Sequence, residues 1–215
     1  MHGVFITFEG IEGSGKSTQL ARLAAILRAR GLDPLVTREP GGTPLGRALR
    51  EALLAPGDEA PARSPLTEAL LMVADRHEHV ACVIAPALAA RRVVLCDRHA
   101  DSTLAYQGGG SGVALATLSA LNDMATGSTR PGLTLLFDLP VEAALARMKD
   151  RAGRAGATPD RFEAETLAFH QRVRQAYLDL AAAEPARIVV IAAERPVEAV
   201  FADVLAAVEG RLAAA

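Results

Sequence analysis

The chain has 215 residues, half of them hydrophobic, which suits one α/β domain or a domain with a small appended lid and allows a sizeable buried core. Lysine and arginine total 23 against 25 aspartates and glutamates, so there is no global basic field of the kind nucleic-acid binders carry, and no nucleic-acid partner is expected. Two cysteines, an N-terminus without a signal-peptide pattern, and a longest apolar run (Val80 to Ala90) too short for a bilayer and containing Pro86 point to a soluble, cytoplasmic protein with no membrane partner.

Val4 to Glu9 is a short apolar run rich in β-formers and ended by Gly10, the pattern of a buried strand. Ser17 to Arg30 carries Leu20, Leu23, Ala24 and Leu27 at helical spacing and is stopped by Gly31. Leu35 to Thr37 is a second strand, Arg38 to Thr43 a Pro/Gly loop, and about Leu45 to Leu54 a helix. Ala55 to Pro65 holds three prolines and reads as a loop, with Ser64 capping a long helix from Leu66 towards Ala90 that Pro86 kinks or interrupts. Val93 to Cys96 is a third buried strand. Gln107 to Gly112 reads as a glycine-rich turn, Leu115 to Ala125 as a helix and Leu133 to Leu139 as a fourth strand. Val141 to Asp150 is helical, Arg151 to Pro159 a mobile arginine- and glycine-rich loop, Phe162 to Ala183 a helix, Arg187 to Ala192 a fifth strand and Val197 to Leu212 a final helix. Strands alternating with helices imply a parallel sheet covered on both faces, hence a single α/β domain over residues 1–215 with an insertion, about 147–161, acting as a lid.

Gly10-Ile11-Glu12-Gly13-Ser14-Gly15-Lys16-Ser17, followed by Thr18, is an intact G-x-x-x-x-G-K-[ST] pattern, placed after a strand and opening a helix. Glycines let successive backbone N–H groups turn inward around phosphate oxygens, and the helix N-terminus adds partial positive charge. Lys16 can reach the β- and γ-phosphates of ATP, and the Ser17 hydroxyl can ligate Mg²⁺. Asp97, after four apolar residues, sits at the carboxyl edge of the expected sheet, where an acid can hold the metal's water shell.

A triphosphate site does not say where the γ-phosphoryl group goes. No Asn-Lys-x-Asp segment is present to recognise guanine, which argues against a GTPase switch. Arg38 and Arg98 instead follow the second and third strands at the edge where ligands bind, and Arg76 joins them near the presumed cleft. Two anionic substrates brought together require such cations.

The loop Thr37-Arg38-Glu39-Pro40-Gly41-Gly42-Thr43 resembles that of bacterial thymidylate kinases, as do Asp97-Arg98-His99-Ala100-Asp101-Ser102-Thr103-Leu104-Ala105-Tyr106-Gln107-Gly108, Arg130 to Thr134 and Asp160-Arg161-Phe162-Glu163. The resemblance spans the chain in order. It implies the P-loop nucleoside monophosphate kinase fold with a five-stranded parallel sheet, the reaction ATP + dTMP → ADP + dTDP in the supply of dTTP, and a homodimer. It also implies that Arg98 and Arg38 hold the acceptor phosphate and that Arg76 reaches the thymine edge. Ser102, Thr103 and Gln107 would line the base and phosphate region, Tyr106 would pack on the deoxyribose, and Glu12 would face the acceptor sugar. Met72 stands where the family commonly has a phenylalanine stacked on thymine; its thioether can contact a ring but offers no flat π-face.

A phosphate monoester with a second pKa of about 6 is mostly a dianion near pH 7 and needs no general base. The barrier is alignment of two polyanions and stabilisation of charge on the moving group. The glycine loop carries Glu12 and no arginine, so it cannot supply an arginine finger; the resemblance to thymidylate kinases with this loop implies a finger from the lid, at Arg151, Arg154 or Arg161, with Arg151 and Arg161 favoured. Adenine is expected near Ala192 to Pro196. The competing readings are a kinase of another monophosphate, such as dUMP or UMP, and a nucleotide-dependent regulatory protein that retains the loop.

Overall fold

The computed structural model describes residues 3–55, 63–155 and 160–213. Five strands form one parallel sheet: β1 (Val4–Glu9), β2 (Leu35–Arg38), β3 (Val93–Asp97), β4 (Leu133–Asp138) and β5 (Ile188–Ala192), in the order β2-β3-β1-β4-β5. The two central neighbours, β1 and β3, pair from Val4 opposite Val93 to Phe8 opposite Asp97. All six residues of β1 are buried, as a strand covered by helices on both faces requires.

The first helix, α1 (Lys16–Ala29), buries Leu20, Leu23, Ala24 and Leu27 against the sheet. α2 (Pro44–Leu54) is capped by Thr43, whose hydroxyl accepts from the Gly46 N–H at 2.9 Å. α3 (Pro65–His79) starts at the expected Ser64 cap, with Pro65 in its first turn. The expected interruption falls just before Pro86: Val80–Ile84 is π-helical, and α4 (Ala85–Ala89) continues the rod with Pro86 as its second residue. Between β3 and β4 come α5 (Ala100–Thr103), a second π-helical stretch (Leu104–Gly110) and α6 (Leu115–Thr126).

Three expectations are revised. Gln107 to Gly110 belongs to the π-helical stretch, and the chain turns only after Gly110. A Cβ on Gly109 would lie 2.4 Å from the Ala176 Cβ, so the missing side chain lets two helices touch and does not supply a bend. The expected loop at Arg151 is helical through Ala155, because α7 runs Val141–Ala155; residues 156–159 lie outside the described residues, as do 56–62 of the loop before α3. The next helix, α8 (Leu167–Ala183), starts after Thr166, not at Phe162, because Asp160 Oδ1 accepts from the Phe162 and Glu163 N–H groups, both at 2.9 Å, and closes a separate turn first. The last helix is α9 (Val197–Ala213).

The core lies on both faces of the sheet, with Phe8 and Phe137 stacked at its centre, ring centroids 5.9 Å apart. Among the described residues no helix is long and apolar enough to cross a membrane.

Candidate active site

At the carboxyl edge of β1 and β3 opens a cleft of about 570 Å³. One wall is the glycine loop. Gly13 there has φ 74°, and a Cβ on it would lie 2.5 Å from the Ala144 carbonyl oxygen, so only glycine lets the loop lie against α7. Lys16 Nζ donates to the carbonyl oxygens of Gly10 and Ile11 at 2.9 and 2.8 Å and to Ser14 Oγ at 3.3 Å. Burial, with the Arg98 charge acting in the same sense, lowers its pKa to about 8. Ser17 Oγ donates to Asp97 Oδ2 at 2.8 Å, which brings the two expected metal ligands together from α1 and β3. A hydroxyl and one carboxylate are a donor set that suits Mg²⁺, which keeps waters and substrate oxygens in its shell.

The opposite wall is built round Arg98. This residue follows β3 at φ 71°, a left-handed conformation that costs a side-chain-bearing residue about 1–2 kcal/mol. Its N–H donates to the Phe8 carbonyl at 3.0 Å and extends the β1–β3 ladder by one step. Nη2 of Arg98 meets Glu12 Oε1 at 2.6 Å and donates to Tyr106 OH at 3.2 Å, and Tyr106 OH donates to Glu12 Oε2. Burial works against the charge of Glu12, but Arg98 and Lys16 outweigh it and hold its pKa below the ordinary value. Ser102 also lines the cleft, its Oγ 3.1 Å from Arg98 Nη1.

Arg76, from α3, forms the floor. Its Nε donates to Glu39 Oε2 at 2.9 Å, and its Nη1 to Thr103 Oγ1 at 3.1 Å and Asn122 Oδ1 at 2.6 Å. Glu39 is held from its other side by His79 Nδ1 at 2.9 Å, while His99 Nε2 stands 3.4 Å away. Burial disfavours a charged Glu39, yet His99, Arg76 and His79 together bring its pKa to about 2. Met72, Gln107 and Arg38 all lie on the wall, and the buried Gln107 Nε2 has no hydrogen-bond partner among the described residues.

The arginines expected to act from a lid divide. Arg151 lines the cleft and pairs with Glu163; Arg147, not singled out in the sequence, lines it too and donates to the Ala193 carbonyl at 3.2 Å. Arg161 does not line the cleft: its Nη2 lies 2.9 Å from Glu68 Oε1, and a carboxylate that is 1% exposed draws the nearest cation. The Arg154 side chain lies outside what is described. Arg50 was also missed. It projects from α2 onto the wall and donates to the Pro40 carbonyl at 3.1 Å, but in sequence it is one of several arginines on an amphipathic helix.

The arrangement is two cationic walls facing across one cleft, a nucleotide-loop wall and an arginine wall. The thymidylate kinase family model matches residues 8–204. The chain belongs to the thymidylate kinase family. It is 55% identical over 197 residues to the thymidylate kinase of Pseudomonas putida (strain W619), covering 92% of each chain. To that of Geotalea uraniireducens (strain Rf4) it is 49% identical over 212 residues, covering 98% of this chain and 99% of the relative. Among solved structures, thymidylate kinase from Ehrlichia chaffeensis matches with a TM-score of 0.77 at 33% identity, over 97% of this chain and 99% of that one. The fold is thus the P-loop nucleoside monophosphate kinase fold. Family membership makes the chain an ATP-dependent kinase that phosphorylates the small nucleotide dTMP in the supply of dTTP.

Proposed function

We propose that this chain performs ATP + dTMP → ADP + dTDP by direct in-line transfer within a single domain, with the segment about 147–161 closing as a lid. The observation that carries this reading is the single cleft bounded by Glu12 to Gln19 on one side and by Arg38, Arg50, Arg76 and Arg98 on the other. In this assignment Gly10 to Thr18 cradle the ATP phosphates, with Lys16 on the β- and γ-groups. Ser17 and Asp97 would hold Mg²⁺, which when bound neutralises charge on the transferring phosphoryl group. Arg98 and Arg38, joined by Arg50, bind the acceptor phosphate. Arg76, whose internal bonds use Nε and Nη1, faces the thymine edge with Gln107, Ser102 and Thr103. Met72 lies against the base, Tyr106 against the deoxyribose, and Glu12 near the acceptor sugar.

Arg151 supplies the finger on the γ-phosphate, with Arg147 beside it; Arg161 contributes only on leaving Glu68. A reducing cytoplasm fits the two free cysteines, Cys82 and Cys96. A homodimer is supported by Leu66 and Leu70 of α3, which stay 45% and 48% exposed.

The test is product formation with ATP, Mg²⁺ and a panel of monophosphates, with dTMP expected to give ADP fastest. Faster turnover of dUMP or UMP would reject the acceptor assignment. Arg151→Ala is expected to lower kcat by about 10³-fold, the lower range for such fingers, with a smaller change in the KM of dTMP. An unchanged kcat would reject the finger.

A further inference from the structure

Behind Arg98 runs a buried polar chain that leads from Ser102, on the cleft wall, to Tyr177 and Glu9, which do not line it. Glu9 ends β1, directly before the glycine loop, and has no exposed surface. Its Oε2 accepts from the Ser102 hydroxyl at 2.6 Å and the Tyr177 hydroxyl at 2.8 Å, and its Oε1 from the His99 backbone N–H at 2.7 Å. The two hydroxyl oxygens lie 2.8 Å apart, and Arg98 Nη1 donates to both, at 3.1 and 3.3 Å. Tyr177 comes from α8, far along the chain, and is 2% exposed. The donors all run one way, from guanidinium to hydroxyls to carboxylate.

Burying a carboxylate costs several kcal/mol unless its oxygens are satisfied. Burial and the nearby Asp101 charge push the pKa of Glu9 up to about 7, a sign of how poorly solvated it is. An apolar residue would fill the end of β1 at less cost. What the acid adds is direction: with both hydroxyl protons drawn to Oε2, the hydroxyl lone pairs are turned towards Arg98 Nη1. Glu12 and Tyr106 hold Nη2 in the same way from the cleft side. An arginine side chain carries about 2 kcal/mol of rotamer entropy, which such bracing removes before any ligand arrives.

We propose that Glu9 and Tyr177 are positioning residues that set the plane of the Arg98 guanidinium for the acceptor phosphate. This rests on Arg98 meeting that phosphate, as assigned above. Tyr177 and Glu9 do not line the cleft, whereas Ser102 and Tyr106 do.

Tyr177→Phe removes one oxygen and keeps the ring that packs 6.3 Å from Tyr106, so the fold is preserved. Expected is a KM for dTMP raised roughly fivefold, the worth of one hydrogen bond, with the KM for ATP nearly unchanged. In an Arg98→Lys background the same change is expected to add less than about twofold, because an ammonium has no plane to set. Glu9→Gln, whose amide cannot serve both the His99 N–H and the two hydroxyls, is expected to raise the dTMP KM further and again to spare ATP. Equal effects on both substrates, or a full Tyr177→Phe effect in the Arg98→Lys background, would overturn the positioning role. An Arg98→Lys protein with unchanged dTMP KM would overturn the phosphate assignment beneath it, and the positioning role with it.

Discussion

Met72 shows how a single side chain tunes a cleft whose architecture is otherwise set. It stands one helical turn before Arg76, half-buried, on the wall proposed to receive the base. A thioether gives dispersion contact in many orientations, whereas a phenyl ring gives a preferred one. Met72→Phe is therefore expected to lower the KM for dTMP by roughly two- to tenfold, the range of one aromatic pair. Initial rates over a dTMP series would measure this, and a higher KM would contradict the placement of the base. The residues legible in sequence were those inside local patterns: Lys16 and Ser17 in the glycine loop, Asp97 and Arg98 at a strand end. Glu9, Arg50, Asn122 and Tyr177 were not, because each sits in an ordinary strand or helix and meets the site only through tertiary contacts.

At the scale of elements, hydrophobic periodicity located every strand and most helices, but it misread what glycine was for. The run Gly108-Gly109-Gly110 looked like a turn and is a place where the stretch before α6 packs on α8. Gly109→Ala, whose added methyl meets Ala176, is expected to cost about 1–3 kcal/mol, read as a lower denaturant midpoint at an unchanged slope. A second element-level device joins three segments at Glu39, which follows β2 and is bound by Arg76 and His79 of α3 and approached by His99 after β3. Burial lowers the pKa of His99 to about 4, so the folded protein favours its neutral form. That preference is present in full above the ordinary value near 6.5 and is lost as pH falls towards 4, an effect on the order of 3 kcal/mol. Glu9 acts in the opposite sense, because its raised pKa removes stability as pH rises from about 4.5 to about 7. The two are separated by comparing the parent with His99→Asn: the melting-temperature gap between them is expected to shrink from pH 6.5 to pH 4. A gap independent of pH would mean that His99 titrates normally.

For the whole molecule, the alternation of strands and helices foretold one parallel sheet, but nothing local could foretell that β3 inserts between β1 and β2. Strand order is decided by which crossovers bury the most surface, and that sum runs over the entire chain. The exposed leucines of α3 bear on assembly at this scale. Leu70→Glu is expected to shift the protein from dimer to monomer in sedimentation, and a monomeric parent would dispose of the dimer. The β1–β3 pairing has a further meaning. The glycine loop leaves the end of β1, Asp97 and Arg98 leave the end of β3, and the two strands are hydrogen-bonded neighbours through Phe8 and Asp97 and one step beyond. In the proposed reaction the backbone positions of the donor and acceptor anchors are thus graduations on one ruler, the interstrand spacing of about 4.8 Å, from which the side chains reach out. Closure of the lid would govern how often the reaction is attempted, and Arg151 would act on its barrier. The gap that the phosphoryl group must cross would stay as the sheet sets it.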